Sequence, residues 1–271
     1  HELVEAPFER FTIAREARIS ADGRLLGQLT RGPDRLRPEV RLLLPDEVGA
    51  GARSRLQRRL VAWSRDLIAE LCAPLRAAPD AALGAAARGL LYQLEQGLGV
   101  VPVRSAAREV EHLTAADHEQ LAELGIVIGV HHVFARALLR PLAIGRRVAL
   151  VAAQVGDPRR VPSPAPGAVS LPRGTGIDAQ SYLAVGYPLV GARAVRVDVL
   201  ERVARSIAAF AGGAAPDPRG RLPGWLGCSA ESARRVAAAL GLPPAAVAGD
   251  ARPRPRRRAR RSPSPPTRDC G

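Results

Sequence analysis

The apolar residues of this chain change their spacing near residue 50, and that change limits the fold more than any single motif does. Up to Leu44 the pattern is that of strands. "FTIAREARISADGRLLGQLT" carries short apolar runs on either side of Ala21-Asp22-Gly23, and Asp-Gly between such runs is a strong hairpin signal. Gly32-Pro33-Asp34 marks another turn before "LRPEVRLLL". About three or four short strands are expected over residues 8–44. From about Ala52 the period becomes helical. Leu56, Leu60, Trp63, Leu67 and Leu71 fall on one stripe, with Arg55, Arg58, Arg59 and Arg65 largely off it.

Helical signals then recur. Pro74 ends the first helix, and Asp80 is expected to open a second that runs through Leu83, Ala87, Leu91, Leu94 and Leu98 to Gly99. A short helix is expected around Ser105–His112. Thr114 and Asp117 have capping-box spacing for another, stopping at Gly125. Ile126 to Val130 reads as a short strand. The chain after His132 reads as helix until Pro141, with a further helix over roughly Arg146–Val155. Repeated Pro and Gly make residues 156–174 an exposed linker or long loop. Beyond it come a short helix, a turn and a longer helix capped by Asp198 with Glu201 three residues on. Ser229 caps a last helix closed by Gly241.

The expected fold class is α+β, mainly α: a small N-terminal antiparallel β segment, a helical region and a disordered basic tail. The expected divisions are a β-rich segment at 1–48, a helical domain at 49–155, a Pro/Gly-rich loop at 156–177, a helical subdomain at 178–245 and an Arg/Pro-rich tail at 246–271.

Composition matters here mainly through what is missing. There is no Lys, no Met and no Asn, while Ala, Arg, Gly and Pro abound. This looks like codon bias from a GC-rich genome, and with the missing Met it leads us to expect a fragment. Without Lys there is no Walker A loop, no Schiff-base chemistry and no Ser-x-x-Lys acylation. Gly174-Thr-Gly176 lacks the third glycine and the preceding strand of a dinucleotide fingerprint, and no G-x-S-x-G elbow occurs. His118-Glu119 starts a zincin-like pattern, but Ala122 stands where the second histidine must be. Cys72, Cys228 and Cys270 are far apart and odd in number, which suits a reducing cytoplasm. The stretch "VALVAAQVG" is too short to cross a bilayer, and no membrane association is expected.

The net charge is +14. From Arg252 to the end there are eight arginines and one aspartate; the 251 residues before it hold 32 arginines and 25 acids, so each part carries +7. A tail of this kind binds polyanions without choosing among them. Candidate phosphate contacts are Arg53, Arg55, Arg58 and Arg59 on the first helix, Arg234 and Arg235 on the last, and Arg256, Arg257, Arg258, Arg260 and Arg261 in the tail. For each folded face the commoner alternative is a solvated helix surface. Base stacking is poorly supported, because the aromatics are scattered away from arginine clusters.

Two further groups invite a catalytic reading. His131 and His132 are adjacent in "LGIVIGVHHVFARALLRP". Neighbouring residues point to opposite sides of a strand, so one metal cannot easily take both. The preferred reading is that one ring packs with a hydrogen bond and the other faces water. Cys228, just before a helix start, has the position of an activated thiol, but a small buried apolar residue is the commoner case. No catalytic residue, metal ligand or cofactor is assigned within this chain.

The order of segments carries more than any motif. "ELVEAPFERFTI", "DGRLLGQLTRGPDRLRPEVRLL", "AARGLLYQLEQGLGV", "LGIVIGVHHVFARALLRP", "GYPLVGARAVRVDVLERVA" and "LGCSAESARRVAAALG" follow one another across residues 2–245. This succession resembles the C-terminal region of large superfamily 2 helicases of the DEAD/DEAH type, common in alphaproteobacteria and similar to the mitochondrial degradosome RNA helicase. His132 matches a histidine of that family, while His131 stands where an aromatic is usual, and the pair is read as a structural junction between a strand and a helix. The resemblance implies two RecA-like domains upstream that bind ATP and Mg, with this chain as the accessory part that helps hold RNA or DNA. The tail after Ala245 departs from the family, and is read either as a native basic arm or as a frameshifted stretch of GC-rich DNA. Two other readings stay open: a stand-alone basic interaction protein, and a small cytoplasmic enzyme using Cys228 or His132.

Overall fold

The computed structural model describes residues 7–45, 48–77 and 83–242. The fold is α+β and mainly helical, with an antiparallel sheet at its N-terminal end. Strands β1 (Phe11–Ile13), β2 (Arg18–Ala21), β3 (Arg24–Thr30) and β4 (Glu39–Leu42) pair in sequential order. The β2–β3 turn is Asp22-Gly23, with φ of 49° and 76°, the left-handed pair that a two-residue turn of matching twist requires. The expected hairpin is therefore present.

Helix α1 (Ala50–Cys72) lies on this sheet. Leu56, Leu60, Trp63, Leu67 and Leu71 are all buried, as their spacing predicts. Gly27 sets the closeness of approach: a Cβ there would stand 2.8 Å from the Arg41 carbonyl oxygen and 3.2 Å from a Leu60 methyl. The next helix, α2 (Ala85–Gln96), begins after Gly84. Asp80, expected to open it, lies outside the described residues. Helices α3 (Ala107–Glu111) and α4 (Ala115–Glu123) follow, and Thr114 and Asp117 form the expected capping box on α4.

The region after Gly125 differs from expectation. Residues Ile126–Ile128 form β6, but His132–Ala135 form strand β7 rather than helix. β7 is central, flanked by β6 and by β5 (Val100–Pro102). Burial explains the misreading. Val133, Phe134 and Ala135 are all buried, and a strand packed on both faces shows no alternation to read. The two histidines therefore sit in a β-hairpin, not at a strand-to-helix junction. A short 3-10 turn (Arg136–Leu139) leads to α5 (Pro141–Val155), which starts earlier than expected, with Pro at its first position.

The Pro/Gly-rich stretch is not all loop. Ser170–Pro172 form β8, which pairs with β10 (Arg193–Val195), itself paired with β9 (Leu189–Val190). Between β8 and β9 lies α6 (Ala179–Val185). Helices α7 (Val197–Ala211), α8 (Leu222–Leu226) and α9 (Ala230–Ala239) complete the described chain, and Ser229 caps α9 as predicted. One apolar cluster runs from Phe11 to Ala194, across residues 48 and 155 alike. A second, from Val190 to Leu242, is built mainly by α7, α8 and α9. The basic tail lies outside the described residues.

Candidate functional site

The predicted arginines separate by environment. Arg53 is half-buried, and its guanidinium donates to the Pro45 and Leu44 carbonyls at 3.0 and 3.4 Å. It fastens the chain after β4 to α1. Arg59 lies over the Phe8 ring, 4.5 Å from its centroid, a cation–π contact that uses the head group locally. Arg55 and Arg58 are exposed. On α9, Arg235 is ion-paired with Glu231 one turn earlier, and Arg234 is exposed. Arg256, Arg257, Arg258, Arg260 and Arg261 lie outside the described residues. The structure thus does not gather the predicted set into one surface. Cys228 is half-buried against the second apolar cluster. No cluster of three metal-ligating side chains occurs among the described residues.

The histidine pair does have a partner, and it comes from far along the chain. Glu201, on α7, is fully buried beneath the β6–β7 connection. Its carboxylate accepts from the backbone N–H groups of Val130, and of His131 at 3.2 Å, and from Nδ1 of His132 at 2.9 Å. Gly129 makes room for it: a Cβ there would stand 2.3 Å from Glu201 Oε2. Burial pushes the Glu201 carboxyl up, but the His132 hydrogen bond and the two backbone donors outweigh this and hold it below the usual range. An ionised acceptor requires His132 to carry a proton on Nδ1. His131 faces solvent, and the two ring centroids are 6.4 Å apart. Glu201 was expected to belong to a helix cap with Asp198; instead it points into the core and fixes the hairpin. Asp198 is inside the first turn of α7, bound to Arg196. No local pattern marks a carboxylate that acts 69 residues from its partner.

Two concave surfaces flank this junction. A groove of about 700 Å³ has Arg104, His131, His132 and Gln180 among its polar lining, with Leu183 and Leu240 among its apolar walls. A cleft of about 330 Å³ has an apolar floor of Val127, Phe134 and Leu139. Arg136, Arg140, Arg196 and Arg205 surround that floor, with Asp198 as the one carboxylate in the lining. Arg196 and Asp198 are joined by two hydrogen bonds of 2.7 and 2.9 Å. Arg205 is positioned by its Nε bond to the Glu201 carbonyl oxygen at 3.3 Å. None of these four arginines belongs to the predicted set. The scattered spacing of Arg136, Arg140, Arg196 and Arg205 gives no sequence signal, because the cleft exists only once α7 packs on β7.

No family model, no curated protein and no solved structure matches this chain.

Proposed function

We propose that this chain is a nucleic-acid-binding accessory module. The observation that carries the reading is the charge of the chain before its tail. Residues 1–251 hold 32 arginines against 25 carboxylates, an excess of 7. Arginines in such excess give a field that draws polyanions and makes their binding depend on salt. The succession of segments that resembles the C-terminal region of superfamily 2 helicases supports a further step. On that reading the module serves an ATP-dependent motor formed by RecA-like domains outside this sequence, and holds the strand that the motor moves. ATP and Mg would belong to that motor.

The test is binding of a fluorescein-labelled 20-nucleotide single strand, as RNA and as DNA, followed by anisotropy between 50 and 300 mM salt. Log K should fall linearly with log salt, by roughly 0.7 per phosphate contact. A chain lacking residues 252–271 should still bind, with a shallower slope. If the full chain binds neither strand at 50 mM salt, the reading is wrong. If only the tail-bearing chain binds, the folded part is no nucleic-acid module.

A further inference from the structure

We infer that the arginine cleft between the β6–β7 sheet, the 136–140 turn and α7 is the place where the folded part grips a strand's phosphates. This deepens the proposed function and rests on it.

Four guanidiniums and one carboxylate line a space of about 330 Å³. The carboxylate is already committed: Asp198 takes Arg196 in a two-point fork. Arg136 and Arg140 are exposed, and neither makes a side-chain hydrogen bond or ion pair among the described residues. Arg205 is exposed and tied only through Nε, which leaves its two terminal nitrogens for a ligand. Three cationic forks therefore converge without a counter-charge.

The floor strengthens the case. Val127, Phe134 and Leu139 bring no charged side chain into the cleft, so the one carboxylate an entering anion meets is Asp198, already paired with Arg196. Low-polarity walls raise the worth of each charge–charge contact over the same contact on an open helix. Arg140, in the cleft lining, is the N-cap of helix α5, which has no capping side chain and no acid in its first turn. The helix dipole adds to the positive potential there. Planar guanidinium forks match phosphate oxygens in pairs.

The face on α1 compares poorly. Arg53 and Arg59 are engaged by backbone carbonyls and by Phe8, and Arg55 and Arg58 stand on a convex helix surface. The cleft has concavity, uncompensated charge and two elements that fix its arginines.

The experiment uses the full chain and the same labelled single strand. Arg136→Gln with Arg140→Gln removes two cleft charges. Arg55→Gln with Arg58→Gln removes two charges from α1 and serves as the matched comparison. The cleft pair should flatten the salt slope by about 1.4, which at 0.15 M salt is about a tenfold loss of affinity. The α1 pair should change affinity by less than about threefold. Arg136→Lys with Arg140→Lys keeps the charges and should keep most of the slope. Equal losses from the two Gln pairs, or none from the cleft pair, would show the cleft to be ordinary surface. A loss of salt slope from the Lys pair as large as from the Gln pair would show that the cleft charges do not set the slope, and would overturn the inference. Absence of binding by the unaltered chain would instead remove the functional reading beneath it.

Discussion

Glu201 shows how one side chain can join distant parts of this fold. A carboxylate out of contact with water is costly unless its oxygens are fully hydrogen-bonded. Here two backbone N–H groups and the His132 imidazole meet that need. Replacing Glu201 with Gln keeps the size but loses the charge, and places an amide N–H₂ among donors. We expect a loss of about 1–3 kcal/mol, measured by urea unfolding at pH 7. The pH dependence follows from the direction of the shift. The folded carboxyl titrates below its ordinary value of 4.5. Its contribution is therefore complete above about pH 4.5 and fades as the pH falls through the folded value. The gap between the natural chain and Glu201→Gln should shrink on acidification below 4.5. A gap that stays constant from pH 7 to pH 3 would contradict an ionised Glu201. His131 joins this network only through its backbone N–H, and its solvent-facing side chain should tolerate Ala with little effect on stability.

Among the elements, those with local signatures were legible. The Asp22-Gly23 hairpin, the stripe on α1, the Thr114 box and the Ser229 cap each need only neighbours within a few residues. The three-residue strands β5, β6, β8 and β10 are shorter than any window in which a period of two can be counted. Only its β-branched run marks β6 in the sequence, and β7 carries no strand alternation because it is apolar on both faces. Arg147 is a further case that periodicity hides. It occupies a helical position on α5, yet its guanidinium is fully buried and donates to the carbonyls of Leu138, Leu183 and Ala184. It thereby ties α5 to the 3-10 turn and to the last residues of α6. Burial pushes its pKa down to about 9, so it stays cationic at neutral pH. Gly186 allows the approach, since a Cβ there would lie 2.8 Å from Nη1. Arg147→Met removes the buried charge but strands the carbonyls. The second effect should win, with a net loss of about 1–3 kcal/mol by thermal unfolding. Arg147→Lys should not restore it, because an ammonium cannot reproduce the fork. Equal melting temperatures for all three chains would refute this account.

For the molecule as a whole, the decisive sequence fact is the missing lysine. No phosphate-binding loop of the Gly-Lys type can exist here. We expect no saturable ATP turnover from the purified chain, and turnover that survives a mock-purification control would refute that. The charge excess was visible in the sequence as a number, but its placement was not. Half of it belongs to residues 252–271 and half to residues 1–251, and four arginines of the latter line a cleft that only tertiary packing creates. Time enters through the same junction. The N-terminal sheet pairs strands adjacent in sequence and is complete by Leu42, so it can close on short loops as the chain emerges from the ribosome. Glu201 follows His132 by 69 residues. At about 5–20 residues per second, synthesis leaves that hairpin without its carboxylate for on the order of several seconds. The groove and the cleft both wait for α7, so neither surface exists until that helix has been made.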